Sequence, residues 1–348
     1  MEGISLEELQ LAARNHGMPL EALRYPVTPV GLHYLLTHYD VPAVEADDWR
    51  LVVSGEREVS LGLAELRDRP RVELVVTMEC AGNGRARLEP RPVSQPWLLE
   101  AVGTAAWAGT PLSPLLEEAG IPEGSVEVLF TGLDRGIEGG DEQAFQRALP
   151  LDEAHRDEVL LAYEMNGAPL PPQHGFPLRL VVPGWYGMTS VKWLERIEFI
   201  DRPFGGYQQA WSYRIRQTED EEGEPLSRMY PRSLFVPPGV PEFMTRDRTV
   251  EAGSVVVEGR AWSGFAPIAS VEISSDAGAS WAAAELEPGD GPWAWRGWQF
   301  AWDATPGEHV LCSRARDEAG NEQPLDPPWN LGGYANNAVQ RVAVTVTG

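Results

Sequence analysis

Cys80 is the residue best placed to do chemistry in this sequence. It closes the run Val75-Val76-Thr77-Met78-Glu79-Cys80 and opens Ala81-Gly82-Asn83-Gly84-Arg85. A strand ending at Glu79, followed by such small residues, lets the backbone turn sharply and approach a ligand closely. Arg85 can bring positive charge near the sulfur and favour thiolate, the metal-binding form. The same segment also reads as a small buried thiol beside a tight turn, and the residues alone leave both readings open. Lys192 is the single lysine among 28 basic residues, either a cation kept for a purpose or a survivor of composition bias. Taken singly, His38 and His174 read as structural histidines and Asp134, before Arg135-Gly136, as a turn residue. The six histidines show no zinc or di-iron spacing.

These residues must be held by short alternating elements. Ser5 to His16 has an amphipathic helical pattern, with Ser5 and Glu8 placed as a capping box. Short strands are predicted at Leu51–Val53, Val72–Thr77, Val126–Phe130, Val159–Leu161 and Leu178–Val182. Helices are predicted at Leu61–Asp68 and Ser113–Ala119, with Ser113 as N-cap and Pro114 as the first helical residue. This predicts an α+β domain with a mixed sheet over residues 1–225, in which 1–28 is an N-terminal extension. Between Gln217 and Pro241 an acidic run, Glu219-Asp220-Glu221-Glu222, precedes five prolines, which reads as a stiff, solvated connection or as a surface loop. Residues 226–348 then read as all-β. Thr249–Trp262, Val271–Ser275, Trp293–Trp302, His309–Arg316 and Val339–Val346 alternate, and Asp276-Ala277-Gly278 is a hairpin-type turn. About seven such strands predict an immunoglobulin-like β-sandwich. Seven of the 13 tryptophans lie in this part.

The chain has 348 residues and a formal net charge of −24. Two domains are expected at that length. The charge argues against nucleic-acid binding, because a phosphate backbone would be repelled. No stretch is long and apolar enough for a membrane span. Two cysteines, Cys80 and Cys312, make no disulfide framework. The first residues lack a basic n-region and an apolar h-region, so no leader is predicted. A cytoplasmic location follows, or a periplasmic one if a leader has been removed.

Glu79-Cys80-Ala81-Gly82-Asn83-Gly84-Arg85 resembles the Cys-Ala-Gly-Asn motif of the sulfite oxidase family of molybdenum enzymes. Further segments follow that family in order: Leu160 to Gly167, His174 to Arg179, Val182-Pro183-Gly184, Val191 to Leu194, Ala261 to Gly264 and Trp329-Asn330-Leu331. The resemblance runs from about Pro29 to the end. It implies an α+β molybdopterin-binding domain followed by an immunoglobulin-like dimerisation domain, and therefore a homodimer. Cys80 would be the one protein thiolate on molybdenum. Tyr34, Thr37, His38, Asp134, His174, Arg179, Ser190 and Lys192 would hold the pterin and its phosphate. Arg85, Trp107 and Tyr213 would face the substrate. The turn Gly333-Tyr334-Ala335-Asn336-Asn337 is expected to reach toward the same site.

The sequence departs from the family where substrate binds. Leu36 and Gly332 stand at positions where the family has arginines, and Ser212 replaces an acid beside Tyr213. Charge-assisted hydrogen bonds to an oxyanion are about twice as strong as neutral ones, so two lost arginines weaken the case for sulfite. Arg87 or Arg14 could substitute. The expected activity is two-electron oxidation of sulfite to sulfate, with electrons leaving to an external acceptor such as a cytochrome. No haem, flavin or iron–sulfur motif is visible. The alternatives are another substrate with the same cofactor, by sulfoxide or N-oxide reduction or sulfane-sulfur oxidation, and a cofactor-free interaction protein.

Overall fold

The computed structural model describes residues 3–348. Helix α1 spans Leu6–Arg14 and starts with the predicted capping box: Ser5 Oγ accepts from Glu8 N–H, and the Glu8 carboxylate accepts from Ser5 N–H. It stops at Asn15 rather than His16 because Asn15 turns away to bind Thr37 N–H at 2.7 Å. His16 instead pairs with Leu35, and Met18 and Thr28 bond to Glu100 and Thr104. The segment from Asn15 to Thr28 is therefore stitched into the domain.

The expected single mixed sheet is two sheets. One runs β2 (Glu58–Leu61), β1 (Leu51–Ser54), β10 (Leu194–Ile200), β5 (Glu127–Glu138), β6 (Asp141–Pro150), and only β1 and β10 are parallel. The other runs β3 (Val72–Glu79), β4 (Val102–Pro111), β7 (Leu160–Met165), β8 (Ala168–Pro169), and β9 (Arg179–Val181) also pairs with β7. The helices are short: α2 is Leu63–Arg67, α3 Ser113–Ala119 and α4 Leu151–Ala154. Leu61 belongs to β2, so α2 starts later than its apolar spacing suggests. In α3 the N-cap is Leu112 rather than Ser113. Leu112 already has helical dihedrals and is fully buried, so packing moves the start by one residue. Gly109 lets β4 and β7 meet at a bulge; a Cβ there would lie 2.0 Å from the Leu161 carbonyl oxygen.

The acidic run Glu219–Glu222 is the tip of a small hairpin, Arg214–Ile215 against Glu224–Pro225, rather than an open linker. Beyond it two sheets share one core. The first orders Arg232–Phe235, Gly253–Trp262, Arg296–Ala304 and Glu285–Leu286. The second orders Val240–Pro241, Arg248–Glu251, Gln340–Thr347, Gly307–Asp317, Ile268–Ser274 and Ala282–Ala283. Phe235, Val257, Ile273, Trp298, Trp302 and Leu311 fill the space between them. The alternating run Thr249–Trp262 is two strands that meet at Gly253, whose φ of +133° lets them join different sheets. Trp262, Trp295 and Ala335 pack into the first domain's core, so the two parts meet over an apolar surface.

Candidate active site

β3 ends at Glu79, and the next residues turn through Ala81 to Gly84 back toward a 3₁₀ turn at Arg85–Arg87. Asn83 fixes the turn. Its amide donates to Glu79 and to the Leu99 carbonyl, and its carbonyl oxygen accepts from Ala101 N–H. The Glu79 carboxylate is buried and ion-paired at 2.7 Å with Arg232, a residue of the sandwich. Trp262 donates to the same carboxylate at 2.9 Å, and Arg232 also donates to the Asn83 and Asn336 carbonyls. The cysteine loop is thus clamped from both domains.

Cys80 lies where two adjoining cavities meet, and Leu36, His38 and Tyr213 line both. The thiol is buried. Burial pushes its pKa up more than Arg85 pulls it down, so the cofactor-free thiol keeps its proton, contrary to the thiolate that Arg85 alone suggests.

The inner cavity is lined by Tyr34, His38, Asp134, His174, Arg179, Ser190 and Lys192, all expected from the sequence. Lys192 Nζ donates to the Leu36 and Gln173 carbonyls at 2.9 and 3.0 Å and sits 4.3 Å from the Trp193 ring centre. An ammonium has three donors, so one remains without a protein acceptor among the described residues. Burial lowers the Lys192 pKa, with Asp134 opposing, and burial likewise raises that of Asp134. Arg179 is seated by the His174 and Ser190 carbonyls at 3.2 and 3.0 Å. His174 is held neutral by burial, its pKa pushed down to about 2. Trp107 lines neither cavity. Its ring is fully buried 4.6 Å beneath the Arg179 guanidinium, so it supports a wall residue instead of facing substrate.

His38 Nε2 and Tyr213 Oη are 2.5 Å apart. Burial drives the His38 pKa down to about 3 and that of Tyr213 well up, so both are neutral. The outer cavity is lined by Thr37, Arg14, Arg85, Trp97 and Tyr334 among others. Arg14, one of the two suggested substitutes, donates to the His38 carbonyl there, whereas Arg87 opens onto a separate cavity beside Pro327. Sequence reasoning missed Arg147, a fully buried cation 5.7 Å over the Tyr213 ring with no carboxylate bonded to it among the described residues. Its place in an alternating strand gave no signal, because a buried arginine is a rare exception to patterning.

Buried polar atoms test what such a cavity suits. Asp134 Oδ1, Thr37 Oγ1 and His33 Nε2 are buried without hydrogen-bond partners among the described residues. Arg179 is a buried cation with no carboxylate bonded to it among the described residues, and half-buried Lys192 faces only the buried Asp134, a costly arrangement unless an anionic, hydrogen-bonding ligand completes it. A thiol stands beside them. Soft sulfur for a redox metal, with cations and amide-like donors for a phosphorylated heterocycle, fits a molybdopterin group.

The oxidoreductase molybdopterin binding domain matches residues 38–208, and the Mo-co oxidoreductase dimerisation domain matches residues 229–347. Chicken sulfite oxidase is 37% identical over 337 residues, which cover 90% of this chain and 72% of that protein. The chain belongs to the sulfite oxidase family of molybdopterin oxidoreductases. Human mitochondrial sulfite oxidase is 36% identical over 348 residues, covering 92% of this chain. The chain spans 62% of that relative's length. The nitrate reductase [NADH] 2 of Phaseolus vulgaris is 29% identical and matches 95% of this chain. Among solved structures, the sulfane dehydrogenase SoxCD of Paracoccus pantotrophus has a TM-score of 0.81 at 27% identity, over 95% of this chain and 86% of that one. Relatives in this family therefore carry names for several different substrates.

Proposed function

We propose that the chain is a molybdenum-dependent oxidoreductase that removes two electrons from a sulfur compound and passes them to a separate protein acceptor such as a cytochrome. The observation that carries this reading is the buried Cys80 thiol at the junction of two cavities, the inner one lined by Lys192 and Arg179 and the outer one by Arg14 and Arg85. When bound, the molybdenum–pterin group supplies the two-electron redox step and the oxygen transfer. Cys80 Sγ would hold the metal, and burial keeps the proton on sulfur in the cofactor-free protein. Lys192 and Arg179 would meet the anionic part of the pterin group, and Asp134 Oδ1, Thr37 Oγ1 and His38 would offer it hydrogen-bonding partners. Tyr213 stays protonated beside neutral His38, so it can donate a hydrogen bond to a developing oxyanion without acting as a base. The buried cations give the site a positive field inside a chain of net charge −24, which draws anions inward.

Sulfite to sulfate is the first form of this activity. Cys80→Ser should abolish molybdenum-dependent reduction of a dye by sulfite while leaving the fold intact; equal turnover in the variant would refute the scheme. Oxidation of another sulfur substrate is the second form, supported by apolar Leu36, by Gly332 and by the likeness to a protein named a sulfane dehydrogenase. The cofactor-free reading has the buried cations against it. We assign catalysis to residues 1–225 and dimerisation to 226–348. The two-sheet strand order supports an immunoglobulin-type sandwich, and the dimerisation-domain match supports a two-fold homodimer.

A further inference from the structure

Gly332 stands where the family resemblance expects an arginine, and the structure shows what fills the space. The Tyr334 ring lies against Gly332 so closely that a Cβ on Gly332 would be 2.3 Å from ring carbon Cε2. No side chain fits at 332 while the ring stays. Asn330 fixes the ring's backbone from both sides, accepting from Tyr334 N–H and donating to the Tyr334 carbonyl. The ring lies 5.2 Å from that of Tyr213 and 4.9 Å from the Arg85 guanidinium carbon. Arg85 is itself occupied: Nε donates to the Gly332 carbonyl and Nη1 to Ser94 Oγ, both at 2.8 Å. The cation that remains is shared and covered on one face, and the missing one is replaced by an aromatic surface. Leu11, Leu36, Trp97, Arg14 and Arg85 also line this outer cavity of about 280 Å³, together with Glu138, whose carboxylate accepts from Tyr39 and Gln208.

We propose that Tyr334 is a specificity-determining residue and that the outer cavity takes a singly charged organic sulfur oxyanion, of the sulfinate type, with an aromatic or other apolar substituent. An inorganic oxyanion has no group to lay on the Tyr334 and Leu36 surface. An arylsulfinate places its oxygens at Arg85 and its ring on Tyr334, an aromatic contact worth about 0.5–1.5 kcal/mol, or up to about tenfold in affinity. This rests on the oxidoreductase reading above. The reaction balances as R–SO₂⁻ + H₂O → R–SO₃⁻ + 2H⁺ + 2e⁻. The sulfur lone pair forms the new S–O bond, water supplies the oxygen, and two equivalents of a one-electron acceptor take the electrons.

The test is calorimetric binding of benzenesulfinate, methanesulfinate and sulfate to the purified holoprotein, with molybdenum measured on the same samples. The expected order is benzenesulfinate tightest, by about tenfold over sulfate, with methanesulfinate between them. Tyr334→Ala should remove most of that preference. Gly332→Arg combined with Tyr334→Ala should reverse it. Sulfate binding as tightly as benzenesulfinate, or a preference unchanged by Tyr334→Ala, overturns the proposal. The wild-type order is read without any variant, so a variant that fails to fold still leaves a refuting result. Protein that lacks molybdenum but keeps the preference contradicts the oxidoreductase reading alone, whereas molybdenum with no preference contradicts this one.

Discussion

Arg232→Met cuts the clamp beneath Cys80 from the sandwich side. The guanidinium is 1% exposed and pairs at 2.7 Å with Glu79, whose carboxylate is equally buried. Removing one partner of a buried pair leaves an uncompensated charge, which costs about 3–5 kcal/mol. The Asn83 and Asn336 carbonyls also lose a donor. Part of the cost is recovered because Trp262 and Asn83 still donate to Glu79, so the expected destabilisation is about 4 kcal/mol. Glu79→Gln combined with Arg232→Met removes both charges. An amide oxygen still accepts from Trp262, so the double variant should lose only about 1–2 kcal/mol. Urea unfolding of cofactor-free protein, followed by tryptophan fluorescence, measures both without a contribution from metal binding. A single variant within about 1 kcal/mol of wild type, or a double variant worse than the single, would refute the idea that the pair clamps the cysteine loop.

Three other perturbations follow from the same geometry. His33 and His174 are buried with pKa values pushed down by burial to about 4 and about 2, so both are neutral when folded and bind protons when unfolded. Their stabilisation is complete above about pH 6.5 and is lost as pH falls toward the folded values, about 2 kcal/mol each between pH 7 and 5. His33→Gln should therefore flatten the acid side of the cofactor-free stability profile, and an unchanged slope would contradict this. Gly109→Ala should cost about 2 kcal/mol in thermal unfolding, since its Cβ would meet the Leu161 carbonyl across the β4–β7 bulge. Lys192→Ala should lower bound pterin roughly tenfold through loss of one charge-assisted contact, read by fluorescence of the released pterin; full retention would place the cofactor's anionic end elsewhere.

Much of the cofactor side was legible in the sequence because it sits in contiguous motifs. Cys80, His174, Arg179 and Lys192 each fall in such a motif, and the structure brings their side chains to one cavity. The substrate side was less legible. Gly332 showed that an arginine was missing, but what replaced it depended on a ring two residues on, seated through Asn330. Trp107 was misplaced because β4 turns it beneath Arg179. The sequence left Cys80 open between thiolate and buried thiol because it shows the nearby arginine but not the depth of burial, which dominates its pKa. The N-terminal segment read as an extension because its ties to Leu35, Glu100 and Thr104 are long-range backbone bonds, which carry no residue pattern.

Cys80 is proposed to hold molybdenum at the junction of the two cavities. X-ray absorption at the molybdenum edge, on wild type and Cys80→Ser normalised to metal content, reads that bond. One fewer sulfur neighbour around molybdenum is expected in the variant, with bound pterin retained. An identical sulfur shell in both proteins, at equal molybdenum content, would contradict it.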